Sequence, residues 1–477
     1  MIGRKQSGNP SLERSGTGMR KTGTRWNAAG RSILFCCCAL LLSSGAWAKE
    51  EEYKLDLSEV EKKPYHLGGF AEARPVLNVV DKSAALYKTN FYNYSVGATT
   101  PEYNNRLQLE GSYESKLADG GIVRFFFRAN EDLSNTYQGW YSNGRLYEGF
   151  MSFKPTDTYH LDVGKRTFKW GKGYAWNPVA FIDRPKDPND PDLALEGFWT
   201  LSGDYTKSFS GPLKTLSFTP VFLPVIAPMN TDFAQSPANP NQDPSTIPSN
   251  ANVAAKLYLL LYDTDVDFIF ITGGSKTTRY GMDFSRNLST NFEIHGELAF
   301  IEDFAKRMVG SNGDVSTQTY DAWSYLLGIR YLTEKSTTYI LEYFYNGAGY
   351  TGAQMDDFYS FVNKGYDLYL NTRNSSQINN AANLAQGGYG RNTPQREYLY
   401  LRVSQLEPFD ILYFTPAITM IMNARDGSFS VTPELLYTGI TNLELRLKTF
   451  FIVGGRNTEF GEKQYDYRIE FRMRYYF

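Results

Sequence analysis

The sequence predicts an all-β fold, a closed transmembrane antiparallel β-barrel of about eighteen strands, with sixteen the next choice. Three observations point there. Segments of roughly ten residues alternate between apolar and polar side chains along most of the chain. Aromatic residues make up 16% of the 477 residues, including 35 Tyr and 32 Phe, while charged residues stay at 21%. Short connections coexist with several long irregular ones, the asymmetry of short periplasmic turns and long extracellular loops.

Residues 1–48 read as a secretory signal to be cleaved after Ala48. Arg4, Lys5, Arg14, Arg20, Lys21, Arg25 and Arg31 form a basic lead to ILFCCCALLL at 33–42, followed by SSGAWA and the acidic KEEE. The apolar run is short for a membrane span; an N-terminal anchor helix is the alternative. All 3 cysteines (Cys36, Cys37, Cys38) fall in this segment, so the mature chain has no disulfide framework, thiolate site or covalent haem attachment. Removing seven of 49 basic and one of 51 acidic residues leaves 42 against 50, a charge of −8. Neither this balance nor the formal −2 of the whole chain suggests a nucleic-acid partner. Residues 49–65 are expected to be a periplasmic lead, and 66–477 the barrel.

The strands follow in order, beginning near residues 66, 103, 120, 145, 158, 194, 213, 251, 265, 276, 291, 321, 338, 397, 410, 428, 441 and 464. NRLQLEGSY (105–113) sets Leu107 and Leu109 against Arg106, Gln108 and Glu110. GIVRFFFRAN (121–130) sets Val123, Phe125, Phe127 and Ala129 against Arg124 and Arg128. TYHLDVGKR (158–166) sets Tyr159, Leu161 and Val163 against His160 and Asp162. TNLELRLKTF (441–450) sets Leu443, Leu445 and Leu447 against Glu444, Arg446 and Lys448. ADGG (118–121), YDTD (262–265), TEKS (333–336) and EPFD (407–410) read as short connections. Residues 225–250, 302–320 and 351–395 read as long loops. No linker splits off a second domain.

The last segment, QYDYRIEFRMRYYF (464–477), places Tyr465, Tyr467, Ile469, Phe471, Met473, Tyr475 and Phe477 on one face and Arg468, Glu470, Arg472 and Arg474 on the other. A sheet in a bilayer must close on itself to pair its backbone, and its two faces then meet lipid and water. This ending resembles the signature strand of bacterial outer-membrane barrels. The resemblance implies that Phe477 and Tyr475 form a signal read by the barrel assembly machinery.

A barrel of this size can hold an aqueous channel. On the inward phase of 124–128, 444–448 and 468–474, Arg124, Arg128, Arg446, Lys448, Arg468, Arg472 and Arg474 outnumber Glu444 and Glu470 by seven to two. A basic wall favours anions; a ladder of Arg–Glu pairs that merely holds the barrel open is the alternative. The most distinctive stretch is GKRTFKWGKGYAWNPVAFIDRPKDPNDPDLALEGFW (164–199). It combines Lys165, Arg166, Lys169, Lys172, Arg184 and Lys186 with interleaved aromatics, four Asp and four Pro. Proline excludes regular pairing, so the stretch reads either as a constriction loop in the lumen or as a structural loop sealing a strand junction. The candidate channel-lining residues are Arg124, Arg128, Lys165, Arg166, Lys169, Lys172, Arg184, Arg446, Lys448, Arg468, Arg472 and Arg474.

The run WGK…WNP (170–178), with the Asp and Pro that follow, resembles long porin-like outer-membrane proteins, among them the alginate-export porins. EYFYNGAGY (342–350) and DGSFSVTPELLYTGITNLELRL (426–447) are similar to their late strands. The resemblance covers about half the chain in patches. It implies a barrel, and in the alginate-export case an anionic polysaccharide cargo, but its arginines do not map here one by one.

Enzymatic chemistry is not expected. The 3 histidines (His66, His160, His295) form no H-E-x-x-H, His160 beside Asp162 reads as a structural polar pair, and no G-x-S-x-G elbow follows the signal. No cofactor and no metal are expected. Residues 49–65 are too few for the plug of a gated transporter, and the late strands are too charged for a hydrophobic-substrate channel. The expectation is an outer-membrane channel for passive diffusion of small hydrophilic or anionic solutes. An exporter of an anionic polysaccharide, or a sleeve for an envelope or electron-transfer complex, are the alternatives. Expected partners are outer-membrane lipid and lipopolysaccharide, the assembly machinery and the solutes, with a homo-oligomer or an envelope partner left open.

Overall fold

The computed structural model describes residues 63–235 and 242–477. The signal at 1–48 and most of the lead at 49–65 lie outside the described residues. Strands β1 (Tyr65–Val80), β2 (Thr99–Lys116), β3 (Ile122–Thr136), β4 (Gly139–Lys154), β5 (Tyr159–Arg166) and β6 (Phe198–Ser208) open the chain. Next come β7 (Leu213–Val225), β8 (Asn250–Leu261), β9 (Thr264–Gly273), β10 (Arg279–Ser289), β11 (Phe292–Val309) and β12 (Val315–Leu332). The last are β13 (Thr337–Tyr345), β14 (Glu397–Gln405), β15 (Phe414–Asn423), β16 (Phe429–Ile440), β17 (Leu443–Val453) and β18 (Tyr465–Tyr476).

Each strand pairs antiparallel with its neighbours in sequence, and β1 pairs with β18, so the 18-stranded sheet closes. Closure runs from Phe70 opposite Tyr476 to Val79 opposite Tyr467. The Gly69 and Phe477 backbones bond each other in both directions at 3.1 Å. Without an edge, no strand exposes unpaired backbone to lipid.

The alternation is inverted relative to a soluble sheet. Leu107, Leu109, Phe125, Phe127, Met151, Leu161, Leu201, Phe222, Leu298 and Phe471 are exposed, while the intervening Gln108, Asn130, Asp162, Ser202, Glu297 and Arg472 are buried. An apolar face turned outward around a closed sheet, with polar side chains packed inside, is the signature of a transmembrane barrel. Among the described residues no helix is long and apolar enough to cross a membrane. The strands do the spanning.

All long connections leave one rim, at 81–98, 167–197, 226–249, 346–396 and 454–464. The other rim carries turns such as 262–263, 290–291 and 441–442. Two of the expected loops are not loops. Residues 302–320 form the end of β11, a tight turn and the start of β12, with pairing continued through Phe304–Tyr320 and Lys306–Gln318. A bulge at Ile301/Phe304 breaks the alternation there. Residues 351–395 are largely helical. Besides α1 (Ala85–Phe91) and α2 (Thr231–Ala234), the loops contain α3 (Gly352–Thr372) and α4 (Ser376–Leu384). Thr351 and Gln354 make a reciprocal capping box, the sequence cue for α3. Met355, Phe358, Tyr359 and Val362, spaced for one helix face, pack with Ile378, Ala381 and Tyr389 over Met308 and Val309 of β11. α1, α3 and α4 thus form a helical cap at the loop-side rim.

Replacing Phe127, exposed midway along β3, with Arg should destabilise the barrel by about 2–4 kcal/mol, the cost of a cation near the bilayer midplane. Reversible folding into lipid vesicles under urea measures this; unchanged stability would take Phe127 off the lipid face.

Candidate functional site

Residues 167–197, between β5 and β6, cross the barrel interior. Pro178, Pro185, Pro188 and Pro191 cannot donate to a ladder, and Gly171 takes a left-handed φ of 96°. A Cβ on Gly173 would sit 2.1 Å from the Trp176 carbonyl oxygen, so this turn requires glycine. A buried segment without a ladder must find acceptors for its N–H groups elsewhere. Inward carboxylates of the wall supply them.

At the root, Glu148 of β4 accepts from the Thr167 N–H (3.1 Å) and hydroxyl (2.7 Å). Within the segment, Asp183 accepts from the Phe168 and Trp170 N–H groups at 2.8 and 3.0 Å. Glu297 of β11 accepts from the N–H groups of Lys172 (2.7 Å), Gly173 (2.6 Å) and Val179 (3.3 Å) and from the Asn177 amide (2.9 Å). Glu342 of β13 accepts from the Tyr174 and Ala175 N–H groups and lies 2.9 Å from His295 Nε2. Lys172 completes the attachment on Asp267 of β9 at 2.9 Å, with Asp283 of β10 at 3.8 Å.

Aromatics hold the same segment. Trp170, Val179, Phe181 and Ile182 pack on Val221, Leu223, Ile269, Ile271 and Ala299. Trp176 stacks on Phe344 with centroids 5.2 Å apart and contacts Tyr398 and Tyr400. The far end of the segment then reaches the strands beside the closure. Asp190 meets Arg472 of β18 at 2.6 Å, and Lys448 and Arg446 of β17 at 3.4 and 3.8 Å. Burial opposes the Asp190 anion, yet Lys448, Arg472 and Arg446 together hold its carboxyl well below the usual carboxylate range. The Lys186 ammonium closes the turn by donating to the Gly173 and Tyr174 carbonyls at 2.8 and 3.3 Å.

The twelve cations singled out from sequence occupy several settings. Arg446, Lys448 and Arg472 meet the segment's Asp190 and also the wall carboxylates Glu434, Glu444 and Glu470. Arg128 bridges Glu110 (3.1 Å) and Glu148 (2.9 Å); Arg468 pairs with Glu470 (2.7 Å), and Arg474 with Glu72 (2.6 Å). Arg166 pairs with Asp162, Lys172 with Asp267, and Arg184 with Asp232 and Glu196. Lys169 is exposed on the segment. Arg124 lies 5.6 Å over the Phe126 ring. Lys165, opposite Trp199 in the β5–β6 register, closes on Glu196 at 2.5 Å, the carboxylate that Arg145 and Arg184 also meet.

What sequence reading missed is the acceptor set: Glu148, Glu297 and Glu342 on the wall. Their partners lie up to 168 residues away, as for Glu342 and Tyr174, so no local spacing announces them. His160 and Asp162 gain Asp204 of β6 (3.6 Å from His160 Nδ1) and the Ser152 hydroxyl. Arg166 already neutralises Asp162 there, which leaves a structural polar patch on the inward wall.

The helical cap joins the segment through Asn392, whose side chain donates to Asp187 at 3.1 Å. It also joins the 454–464 loop, where Glu462 accepts from the Ala85 N–H of α1 at 2.6 Å; in the same loop buried Glu459 accepts from the Tyr398 hydroxyl of β14 (2.7 Å) and the Asn423 amide of β15 (2.8 Å). Burial pushes the Glu459 carboxyl up to about 7.

A closed eighteen-stranded barrel with an apolar outer belt, a polar lumen and one segment laid across that lumen defines a transmembrane β-barrel of the outer-membrane, porin-like fold. No protein-family model matches the chain, and no curated protein matches it. Solved porin structures are similar in fold at low identity. Pseudomonas aeruginosa OccK11 (OpdR) is 11% identical, covering 86% of this chain and 95% of its own, at a TM-score of 0.47. Acinetobacter baumannii OccAB3 is 10% identical over 87% of this chain and 99% of its own, also at 0.47. A triple mutant of Rhodopseudomonas blastica porin is 10% identical over 87% and 100%, at 0.42.

The unfolded Glu459 carboxyl ionises near the ordinary 4.5, while the folded one keeps its proton to about 7. The native state therefore binds the extra proton across this window, and the loop loses stability as pH rises through it. Glu459→Gln should flatten the pH dependence of hydrogen exchange in 454–464, corrected for intrinsic rates. An unchanged slope would assign the effect to another group.

Proposed function

We propose that the protein is a passive diffusion channel for small hydrophilic solutes, narrowed by residues 167–197. One observation carries the reading: this segment spans the lumen from the Glu148 root to Arg472 and Lys448 without forming a separate plug domain. Its hydrogen-bonded backbone and buried Trp170 and Trp176 support a fixed constriction, because each attachment must break before the segment can swing out.

Ion pairing supports a tempered electrostatic role for the wall. Most of the basic positions sit within 4 Å of a carboxylate, so their field largely cancels over short distances. Selectivity then depends on the small imbalance left near Asp190, where Arg446, Lys448 and Arg472 face Asp190, Glu434, Glu444 and Glu470. No bond chemistry is required of any of these groups. The apolar belt is solvated by outer-membrane lipid, and Phe477 and Tyr475, exposed at the closing strand, serve as the assembly signal.

Purified barrel in a planar bilayer under a salt gradient should show steady conductance steps. Asp190→Asn should enlarge the steps and move the reversal potential toward anions, by freeing the segment's far end and removing one anion from the path. A folded barrel that stays silent overturns the channel reading, and unchanged steps in the variant would remove Asp190 from the ion path. Deleting Phe477 should lower the amount of assembled barrel while leaving the conductance of each assembled pore intact; normal barrel levels would discard it as a signal.

A further inference from the structure

The lumen wall near β17 and β18 pairs its cations with carboxylates, but the loop-side mouth above β9 to β12 does not. Five cations from β10, β11 and two loops lie there in two neighbouring groups: Lys276 within electrostatic reach of Arg279 and Arg391, and Lys306 beside Arg396, with Tyr350, under the Lys306 ammonium at 5.0 Å, between them and Arg391. None of them makes an ion pair among the described residues. Lys306 Nζ and Arg396 Nε both donate to one carbonyl, that of Gly349, at 2.7 and 3.3 Å. Lys276, in the β9–β10 turn, and Arg279, at the start of β10, lie over the rings of Phe233 (5.0 Å) and Phe181 (6.0 Å), which belong to one apolar cluster. Arg279 lies on the inward phase with Gly281 and Asp283, and its Nε is buried without an acceptor.

Such a group is costly as it stands. A buried guanidinium N–H without an acceptor forfeits its hydration, and neighbouring cations repel one another at low dielectric. Aromatic faces return only part of this. Burial, followed by the charges of Arg279 and Arg391, lowers the Lys276 ammonium to about 8. The nearby Asp232 acts the other way, but it is already paired with Arg184. An acceptor carrying more than one negative charge would offset these costs.

We infer that Lys276, Arg279 and Arg391 form an entry site for a doubly charged oxyanion of the carboxylate or phosphate class, with Lys306 and Arg396 beside it. This deepens the channel reading and rests on it, since it names the class of solute presented to the constriction. Planar guanidinium groups match two oxygens at once, and the aromatic floor excludes water that would otherwise screen the charges.

Sulfate is a suitable probe because its charge does not change between neutral and mildly alkaline pH. Isothermal titration of sulfate into folded barrel in detergent, at constant ionic strength, should show saturable binding that weakens as pH rises through about 8. Lys276→Gln combined with Arg279→Gln should lower the affinity at least about tenfold, or about 1.4 kcal/mol. Lys214→Gln, on an exposed pair with Asp263 at the opposite rim, should leave it unchanged. Lys276→Gln alone, in a loop, serves if the double variant does not fold. Absent binding, or binding indifferent to these changes at 276 and 279, overturns the site. Calorimetry needs no open pore, so a barrel that conducts without binding sulfate refutes the site alone, and one that binds while silent in a bilayer refutes the channel reading.

Discussion

Pairing of the backbone between β1 and β18 is the constraint on which the rest of the structure depends. A bilayer offers no water to an unpaired N–H or C=O, so the sheet has to end where it begins. Val76 opposite Glu470 and Leu77 opposite Ile469 are part of that seam. Once it is closed, one side of every strand faces lipid and the other faces an enclosed space. The exposure of Leu109, Phe127 and Phe471, beside buried Gln108, Asn130 and Arg472, follows from this closure.

An enclosed polar face creates a second demand. Charged side chains removed from bulk water need partners, because burying an isolated ion is expensive. The wall answers with cross-strand pairs such as Arg128 with Glu110 and Glu148, and Arg474 with Glu72. The carboxylates Glu297 and Glu342 are aimed instead at backbone N–H groups of the crossing segment. That segment has traded a strand ladder for side-chain acceptors, and its proline and glycine content is the local cause. The same groups that make the lumen polar therefore also hold its obstruction in place.

Long connections on one rim extend the argument. α3 and α4 bury Phe358, Tyr359 and Tyr389 against β11, while Glu462 accepts from the Ala85 N–H at 2.6 Å and ties α1 to the 454–464 loop. These contacts make the loop-side mouth a packed surface in which the positions of Lys276, Arg279 and Arg391 are defined by neighbouring elements. Among the described residues the opposite rim carries no comparable layer, since turns such as 441–442 are two residues long.

The sequence by itself determined the strands and their phase. A period of two is imposed wherever lipid lies on one side and water on the other, so the starts of β1, β7, β8, β14 and β18 fall within one residue of where alternation places them. Where β11 and β12 rise beyond the apolar belt, the pattern lapses, and residues 302–320 look like a loop. The helices of 352–384 carried a capping box and a helix-face spacing, but abundant Asn, Gln and Gly obscured them. Only the tertiary structure decided which charges meet. Asp190 and Arg472 are 282 positions apart, and nothing local to either residue selects the other. The curvature of the closed sheet and the path of residues 167–197 bring them to 2.6 Å, because electrostatic partners are chosen by distance in space and a hydrophobic period is written along the chain.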